Sequence, residues 1–540
     1  QVAVRTLGNP TYYGDQWALY GYANDSWRVR PNLTLNLGLR YEYTTVPFSE
    51  KLQSLNAIAN VPGVLVFNAP QAQTKNFAPR IGLAWSPGTS GTTSIRAGFG
   101  MAYDVLYDNI GVNSPPPQFA TTVDVTNSGT PNFLANGGIR PGAQAGGTLS
   151  AADARMFTSA YIPDQKLPYS IQWNLGVQHV FAKDYTLDVR YLGTRGVHLN
   201  VQTRFNNFSP VTPENSLPTY FAMPSQATLD ALPLTLSQLK KPGFILPQFA
   251  NAGFTNPALV EDAPLGNSTY HGLAVQMNKR YSRDLQFIAS YTWSHLIDDS
   301  TADFATTFLT PRRPQNFQNM RAERAASALD HRHRFSYAAV YDVPVFRNSN
   351  WLLKNVVGNW SVAPVYIYES PEYVTVLSQT DSNLNGDSAA DRVIVNPSGA
   401  AGTGSAVVPL KSMRNGKSEV VGYLATNPGA RYIQAGAGAY ANGGRNTLAG
   451  RPINNVDLNL LKNFDVRERA KIQFSAQFYN LFNHPQFVPG FVNRVDNPGN
   501  PNITGAVFNY LTPGTSSFNN PEAIYSSNPR GIQLALKVLF

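Results

Sequence analysis

Leu33-Thr34-Leu35-Asn36-Leu37-Gly38-Leu39-Arg40-Tyr41-Glu42-Tyr43 alternates without a break: every odd position is Leu or Tyr, every even one polar or Gly. Successive side chains of a strand point to opposite faces, so this stretch has one face of Leu and Tyr and one of Asn, Arg and Glu. The pattern returns at Leu285, Phe287, Ala289, Tyr291 and Trp293, set against Gln286, Ser290, Thr292 and Ser294. It returns again at Ile472, Phe474, Ala476 and Phe478, set against Lys471, Gln473, Ser475 and Gln477. In Ile532-Gln533-Leu534-Ala535-Leu536-Lys537-Val538-Leu539-Phe540 it persists to the last residue. Soluble antiparallel sheets also alternate, so one such segment decides little. Composition and repetition decide it.

Charged residues make up only 14% of the 540, against roughly 25% in an ordinary globular protein. Aromatic residues reach 12%, with 27 Tyr and 29 Phe, so rings and neutral polar groups stand where Lys and Glu usually do. The chain has no Cys, which excludes a disulfide framework, a thiolate metal site and a Cys nucleophile together. No stretch approaches the roughly 20 consecutive apolar residues of a spanning helix. The net charge of +9 is spread along the chain and forms no basic run, so no nucleic-acid partner is expected. The class that fits is all-β: an antiparallel transmembrane β-barrel, whose signal is weak per segment and repeated many times.

The alternation predicts about thirteen strands, each near the length that crosses a bilayer at a tilt. They start near Trp17, Leu33, Phe77, Thr93, Ser170, Tyr185, Tyr270, Leu285, Arg334, Trp360, Asn455, Ala470 and Gly531. Short connections, such as Arg30-Pro31-Asn32, Lys183-Asp184 and Ser282-Arg283-Asp284, alternate with long ones of roughly 30 to 75 residues. Short helices are expected within the long ones at Leu229–Lys240 and Met320–Leu329. Short periplasmic turns and long external loops are the habit of outer-membrane barrels. With short turns on the periplasmic side, the first and the thirteenth strand both run downward. Bacterial single-chain barrels have even strand numbers, so an upward strand is expected before Gln1. The chain is therefore read as the C-terminal portion of a larger barrel.

The segments, taken in order, resemble the barrel of TonB-dependent outer-membrane receptors of the Oar-like group. The resemblance is carried by Leu33–Glu42, Asn76-Phe77-Ala78-Pro79-Arg80-Ile81-Gly82, Gln172-Trp173-Asn174-Leu175 and Tyr191-Leu192-Gly193-Thr194-Arg195-Gly196. It continues through Ala289-Ser290-Tyr291-Thr292-Trp293-Ser294, Asp330-His331-Arg332-His333-Arg334-Phe335 and Phe478-Tyr479-Asn480-Leu481-Phe482-Asn483-His484-Pro485 to the terminal strand. The resemblance implies a barrel of about 22 strands, of which these would be the last thirteen or so. It also implies an upstream carboxypeptidase-regulatory-like domain, a plug and a segment that contacts the TonB complex. Phe540 resembles the terminal aromatic read by the barrel-assembly machinery.

Few residues suggest chemistry. Asp381-Ser382-Asn383-Leu384-Asn385-Gly386-Asp387 places oxygen ligands at alternate positions with Gly at the sixth, like the first half of a Ca2+ loop. Arg392 stands at the twelfth position, where a bidentate Glu would complete that pattern. A structural Ca2+ held by Asp381, Asn383, Asn385 and Asp387 is weighed against a solvated Asx-rich turn; no other cofactor is expected. His331 and His333 share a strand face, but contact with lipopolysaccharide phosphate through the neighbouring arginines is preferred to a metal pair. Arg40, Glu42, Arg96, Asp188, Arg190, Asp457 and Lys471 fall on the inner, lumen-lining face, where charges are expected to pair across neighbouring strands in preference to contacting a plug or steering a solute. Tyr41, Tyr43, Tyr103, Tyr191, Tyr291 and Trp293 read as an outer aromatic girdle, and Trp27, Trp85, Phe181 and Phe464 as an inner one. No Gly-x-Ser-x-Gly, His-Glu-x-x-His or phosphate loop occurs, so enzyme chemistry is not expected.

The sequence therefore predicts an outer-membrane transporter barrel that moves a bulky solute and is bathed by lipid and lipopolysaccharide. A passive porin or adhesin barrel without TonB coupling, and a secreted soluble β-rich binding protein, are the alternatives.

Overall fold

A computed structural model describes residues 2–8, 15–47, 56–106, 110, 120–126, 150–301, 313–467, 470–487, 509–523 and 528–539. Its frame is one antiparallel sheet whose thirteen principal strands follow chain order. We number them β1 Ala18–Arg30, β2 Leu33–Thr44, β3 Phe77–Trp85, β4 Thr93–Tyr103, β5 Tyr169–Phe181, β6 Tyr185–Arg204 and β7 Val260–Ser282. The rest are β8 Leu285–Asp298, β9 His333–Asp342, β10 Trp360–Glu369, β11 Ile453–Arg467, β12 Ala470–Tyr479 and β13 Gly531–Leu539. Each pairs with the next, a meander in which β1 and β13 are paired on one side only among the described residues.

The register keeps the alternation in phase from strand to strand. Leu35 stands opposite Trp27 and Leu83, and Leu37 opposite Ile81. Leu175 stands opposite Tyr191, Phe287 opposite Lys279 and Ala339, and Phe474 opposite Leu536. One face is thus largely apolar across the sheet, with Asp25, Lys279 and Lys462 among its few charged positions. A slip of one residue anywhere would turn that strand's apolar row to the polar side.

Each strand begins within two residues of its expected start except the seventh, which begins at Val260 instead of Tyr270. Its first residues, Val260–Ala263, pair with Val201–Arg204, past register shifts between Ala263 and Asn267. Glu261-Asp262-Ala263-Pro264 breaks the alternation, which is why the sequence hides this part. β6 likewise runs on to Arg204, where a loop was expected from Gly196. The short hairpins need little: Arg283 and Asp284, between β7 and β8, both have positive φ (50° and 65°) without any Gly. That backbone matches the strand twist of a two-residue turn.

The apolar face is not covered by protein. Val538, Leu536, Leu534 and Ile532 of β13 are 55–70% exposed. None of the largest fully buried side chains, including Tyr510, Phe67, Phe254, Leu106 and Ile433, lies in the thirteen strands. A soluble sandwich would bury those rows, each Leu or Ile contributing roughly 1.5–3 kcal/mol when removed from water. This sheet leaves them outside.

The protein core sits in the long connections instead. Val374, Val376, Leu377, Val393, Tyr432, Leu448, Phe487, Tyr510 and Leu511 form one cluster. Leu217, Leu239, Leu384, Tyr423, Ala435 and Ala439 belong to a second. Small sheets hold this layer together, among them Thr219–Tyr220 with Glu419–Ala425 and Val407–Ser412. The helix expected at Leu229–Lys240 is two, Gln226–Ala231 and Leu236–Lys240, separated at Pro233. Met320–Leu329 holds only a turn of 3-10 helix, Met320–Glu323, followed by the extended pair Ala325–Ala326. Both departures have one cause: the polypeptide there is shaped by packing between loops, not by local periodicity.

Candidate functional site

The inner face of β2–β6 is built from arginines and bare backbone. Arg80 stands opposite Gly38 on one side and Gly100 on the other. Arg96 stands opposite Gly176, and Gly176 opposite Arg190, so the three share one row across three strands. A Cβ on Gly176 would come within 3.1 Å of Arg190 Cγ, so Gly there lets the guanidinium stem lie along the wall. Asn24, Asn36, Arg40 and Arg80 line a hollow of about 570 Å3. Arg96, Asn174, Asp188 and Arg190 line another of about 280 Å3.

The carboxylates on this wall are held within single strands. Arg40 Nε lies 3.1 Å from Glu42 Oε1, and Arg190 donates to both Asp188 oxygens at 2.6 and 2.7 Å. Pairing across strands was expected, and these two pairs depart from it: residues two apart on one strand share a face, and the longer Arg folds back on its neighbour. Farther round, Asp457 Oδ1 accepts from Asn455 Nδ2 and the Asn480 N–H. Lys471 stands directly opposite Asp465, whose Oδ2 is 2.9 Å from Lys354 Nζ. The sequence reading missed Arg80, although it lies inside a quoted motif with the phase of the other inner residues. Arg40, Arg80, Arg96 and Arg190 outnumber Glu42 and Asp188 by two charges, which leaves this wall cationic and suited to anionic groups.

Above the wall, the loop layer is tied to the sheet by buried ion pairs. Arg445 binds Asp298 at the end of β8, and Arg392 Nη1 lies 2.8 Å from Glu323 Oε2. Asp387 is gripped by Arg313, whose Nη2 donates to Oδ1 at 2.9 Å, and by Arg204 at 3.7 Å. As a free carboxylate ligand, Asp387 is therefore displaced from the set expected of the Ca2+ loop. Asp381, Asn383 and Asn385 keep their oxygens turned into the loop, where they accept the N–H groups of Asn385, Gly386 and Asp387. Among the described residues no three His, Cys, Asp or Glu side chains converge as a metal cluster. His331 and His333 part company: His333 Nδ1 meets Tyr291 Oη at 2.8 Å, and His331 Nδ1 meets the Ser370 carbonyl at 3.0 Å. Phe540 lies outside the described residues.

Comparison with known proteins fixes the family. The outer membrane beta barrel domain matches residues 2–533. The chain belongs to that family. It accordingly resides in the outer membrane of a Gram-negative bacterium, with the apolar face of its sheet toward lipid. No curated protein matches it. Solved structures that are similar include the outer membrane transporter YddB of Escherichia coli (10% identity, TM-score 0.41, 97% of this chain and 45% of that one). The pyoverdine receptor FpvA of Pseudomonas aeruginosa gives 9%, 0.39, 97% and 42%. The FrpB iron transporter of Neisseria meningitidis gives 10%, 0.41, 98% and 47%. The chain thus spans less than half the length of each.

In an outer-membrane barrel the outward aromatics mark the headgroup levels. Tyr191 and Tyr291, at the upper level, each stack on a histidine of a neighbouring strand, His271 and His333. At the lower level Trp27, Trp85 and Phe181 are exposed on the same face. Two lysines that the sequence reading passed over also belong there. Lys279 bends to the turn, donating to the Ser282 and Leu285 carbonyls at 2.6 and 2.8 Å, with Tyr185 beneath it. Lys462 lies over the rings of Trp360 and Phe464 and donates to the Gly358 carbonyl. Each closes an apolar row by carrying its charge to the interface.

Proposed function

We propose that this chain is the C-terminal portion of the barrel of an Oar-like TonB-dependent transporter that moves a bulky solute across the outer membrane. The observation that carries the reading is the inner wall: arginines at Arg40, Arg80, Arg96 and Arg190 set among glycines on a sheet whose two edge strands are each paired on one side only among the described residues. A wall with so little side-chain bulk leaves room beside it, and its charge suits an anionic solute or the acidic surface of a plug. Strands upstream of Gln1 would pair with β1 and close the cylinder against β13, removing edges that lipid does not tolerate. The motifs quoted from Leu33 to Pro485 support the TonB-dependent type. The partners in this reading are lipid and lipopolysaccharide around the girdles, the TonB complex through an upstream segment, and the barrel-assembly machinery at Phe540.

The test uses the full-length protein purified from outer membranes. It should bind the periplasmic domain of TonB and show little steady ion conductance in planar bilayers, because a plug fills the lumen. Steady conductance with no TonB binding would support the passive porin instead.

A further inference from the structure

The loop Asp381–Arg392 sits where three parts of the molecule meet. Arg204 Nη1, at the end of β6, donates to the Gly386 carbonyl at 2.7 Å. Asn207 Nδ2 and Ser209 Oγ, just beyond, donate to the Asn385 and Asn383 carbonyls at 2.8 and 2.7 Å. From the connection between β8 and β9, the Gln315 carbonyl receives both Asn383 Nδ2 and Asn385 Nδ2 at 2.7 and 3.1 Å. Each Asn is thereby fixed with its amide nitrogen outward and its oxygen toward the loop interior. Gly386, with φ of 81°, makes the sharp turn at the sixth position.

The loop's acidity is unevenly answered. Arg313 and Arg204 neutralise Asp387, the first donating from Nη2 to Oδ1 at 2.9 Å and the second lying 3.7 Å from Oδ2. Among the described residues no such partner reaches Asp391. It is fully buried, its Oδ2 accepts the Ser382 N–H at 2.6 Å, and its Oδ1 makes no hydrogen bond. Three more buried oxygens beside the same loop, Ser382 Oγ, Asn207 Oδ1 and Gln315 Oε1, are also without a hydrogen bond. A buried carboxylate left unpaired is costly, and several oxygens left together are a reason to look for a cation.

We propose that this loop binds one Ca2+ through Asp381, Asn383, Asn385 and Asp391, with Asp391 replacing the absent twelfth-position Glu and Asp387 contributing only backbone. Ca2+ accepts mixed carboxylate, amide and carbonyl oxygens, and the seventh position of such loops ligates through its carbonyl, so an arginine-bound Asp387 side chain is no obstacle. Two carboxylates are few, which places the affinity with extracellular modules, on the order of 10⁻⁴–10⁻³ M. The ion joins the end of β6, the connection before β9 and the loop layer between β10 and β11. It acts as an external clamp on the mouth of the barrel.

The test uses the full-length protein from outer membranes, stripped with EDTA and titrated with CaCl2. Calorimetry should show one Ca2+ per chain, and calcium should protect residues 374–449 from trypsin. Asp391→Asn should weaken binding at least tenfold while the barrel keeps its heat-modifiable mobility. Wild-type protein that takes up no calcium at millimolar concentration would overturn the proposal, whatever the variant does. Binding that survives unchanged in both Asp391→Asn and Asp381→Asn would overturn it too.

Discussion

Trp173 occupies the space that a side chain at Gly193 would need. The two residues are opposite one another on β5 and β6, and a Cβ on Gly193 would overlap the indole ring. The ring edge also meets His271 on β7, with centroids 5.9 Å apart. A bare position on one strand thus seats a large aromatic from the next on the outward face.

Gly193→Ala should therefore push Trp173 off the wall, at a cost of about 1–3 kcal/mol typical of overpacking. Gly21→Ala, where nothing stands within 4 Å, should cost far less. Denaturant unfolding in detergent, followed by loss of heat-modifiable mobility, compares the two.

Glu261, in the part of β7 beyond the membrane, is pushed up from 4.5 to about 7 by burial and then by the charge of Asp262. The unfolded chain loses this proton near pH 4.5 while the folded one keeps it, so between about pH 4.5 and 7 the native state binds more protons. Stability must fall as pH rises through that window, by on the order of 3 kcal/mol in all, and then level off. Protection factors at Val260–Ala263, taken relative to the intrinsic exchange rate at each pH, should be higher at pH 5 than at pH 8. Glu261→Gln should flatten the difference.

Lys279 and Lys462 test the lower girdle. Lys462→Ala leaves the Gly358 carbonyl without its ammonium donor and bares Trp360 and Phe464, so it should lower the unfolding midpoint. Lys462→Arg, whose longer side chain can still reach the interface, should lower it less. Equal losses would show that the interfacial charge does nothing.

Deleting Phe540 in the full-length protein should reduce the yield in the outer membrane more than it reduces synthesis. In sequence it stands in phase with Ile532, Leu534, Leu536 and Val538. Unchanged membrane yield, measured by fractionation, would remove the assembly role.

The strands were legible because a lipid-facing wall imposes period two on every residue, as in Leu33–Tyr43. Where other forces act, the pattern is lost. Val260–Ala263 is a strand because Val201–Arg204 pairs with it across a bulge and Ala160–Tyr161 pairs with its first two residues, and Pro264 conceals it. Leu229 and Leu239 fall in separate helices because each packs under a different strand of the loop layer. On the inner face, sequence phase located Arg40, Arg96 and Arg190. It could not show that Asp188 is taken by its own strand's arginine. In the loop at Asp381, spacing suggested ligands for an ion, but only the fold reveals that Arg313 holds Asp387 and that Asp391 is left buried beside it.

The account stands on lipid, not protein or water, bathing the apolar rows of these strands. These 540 residues have no Cys, so single cysteines can be placed along Ile532–Lys537 and spin-labelled in the full-length protein in vesicles, with any upstream Cys replaced by Ser. Collision with oxygen should peak at 532, 534 and 536, and collision with a water-soluble nickel complex at 533, 535 and 537. Loss of that alternation, or its reverse, would contradict the account.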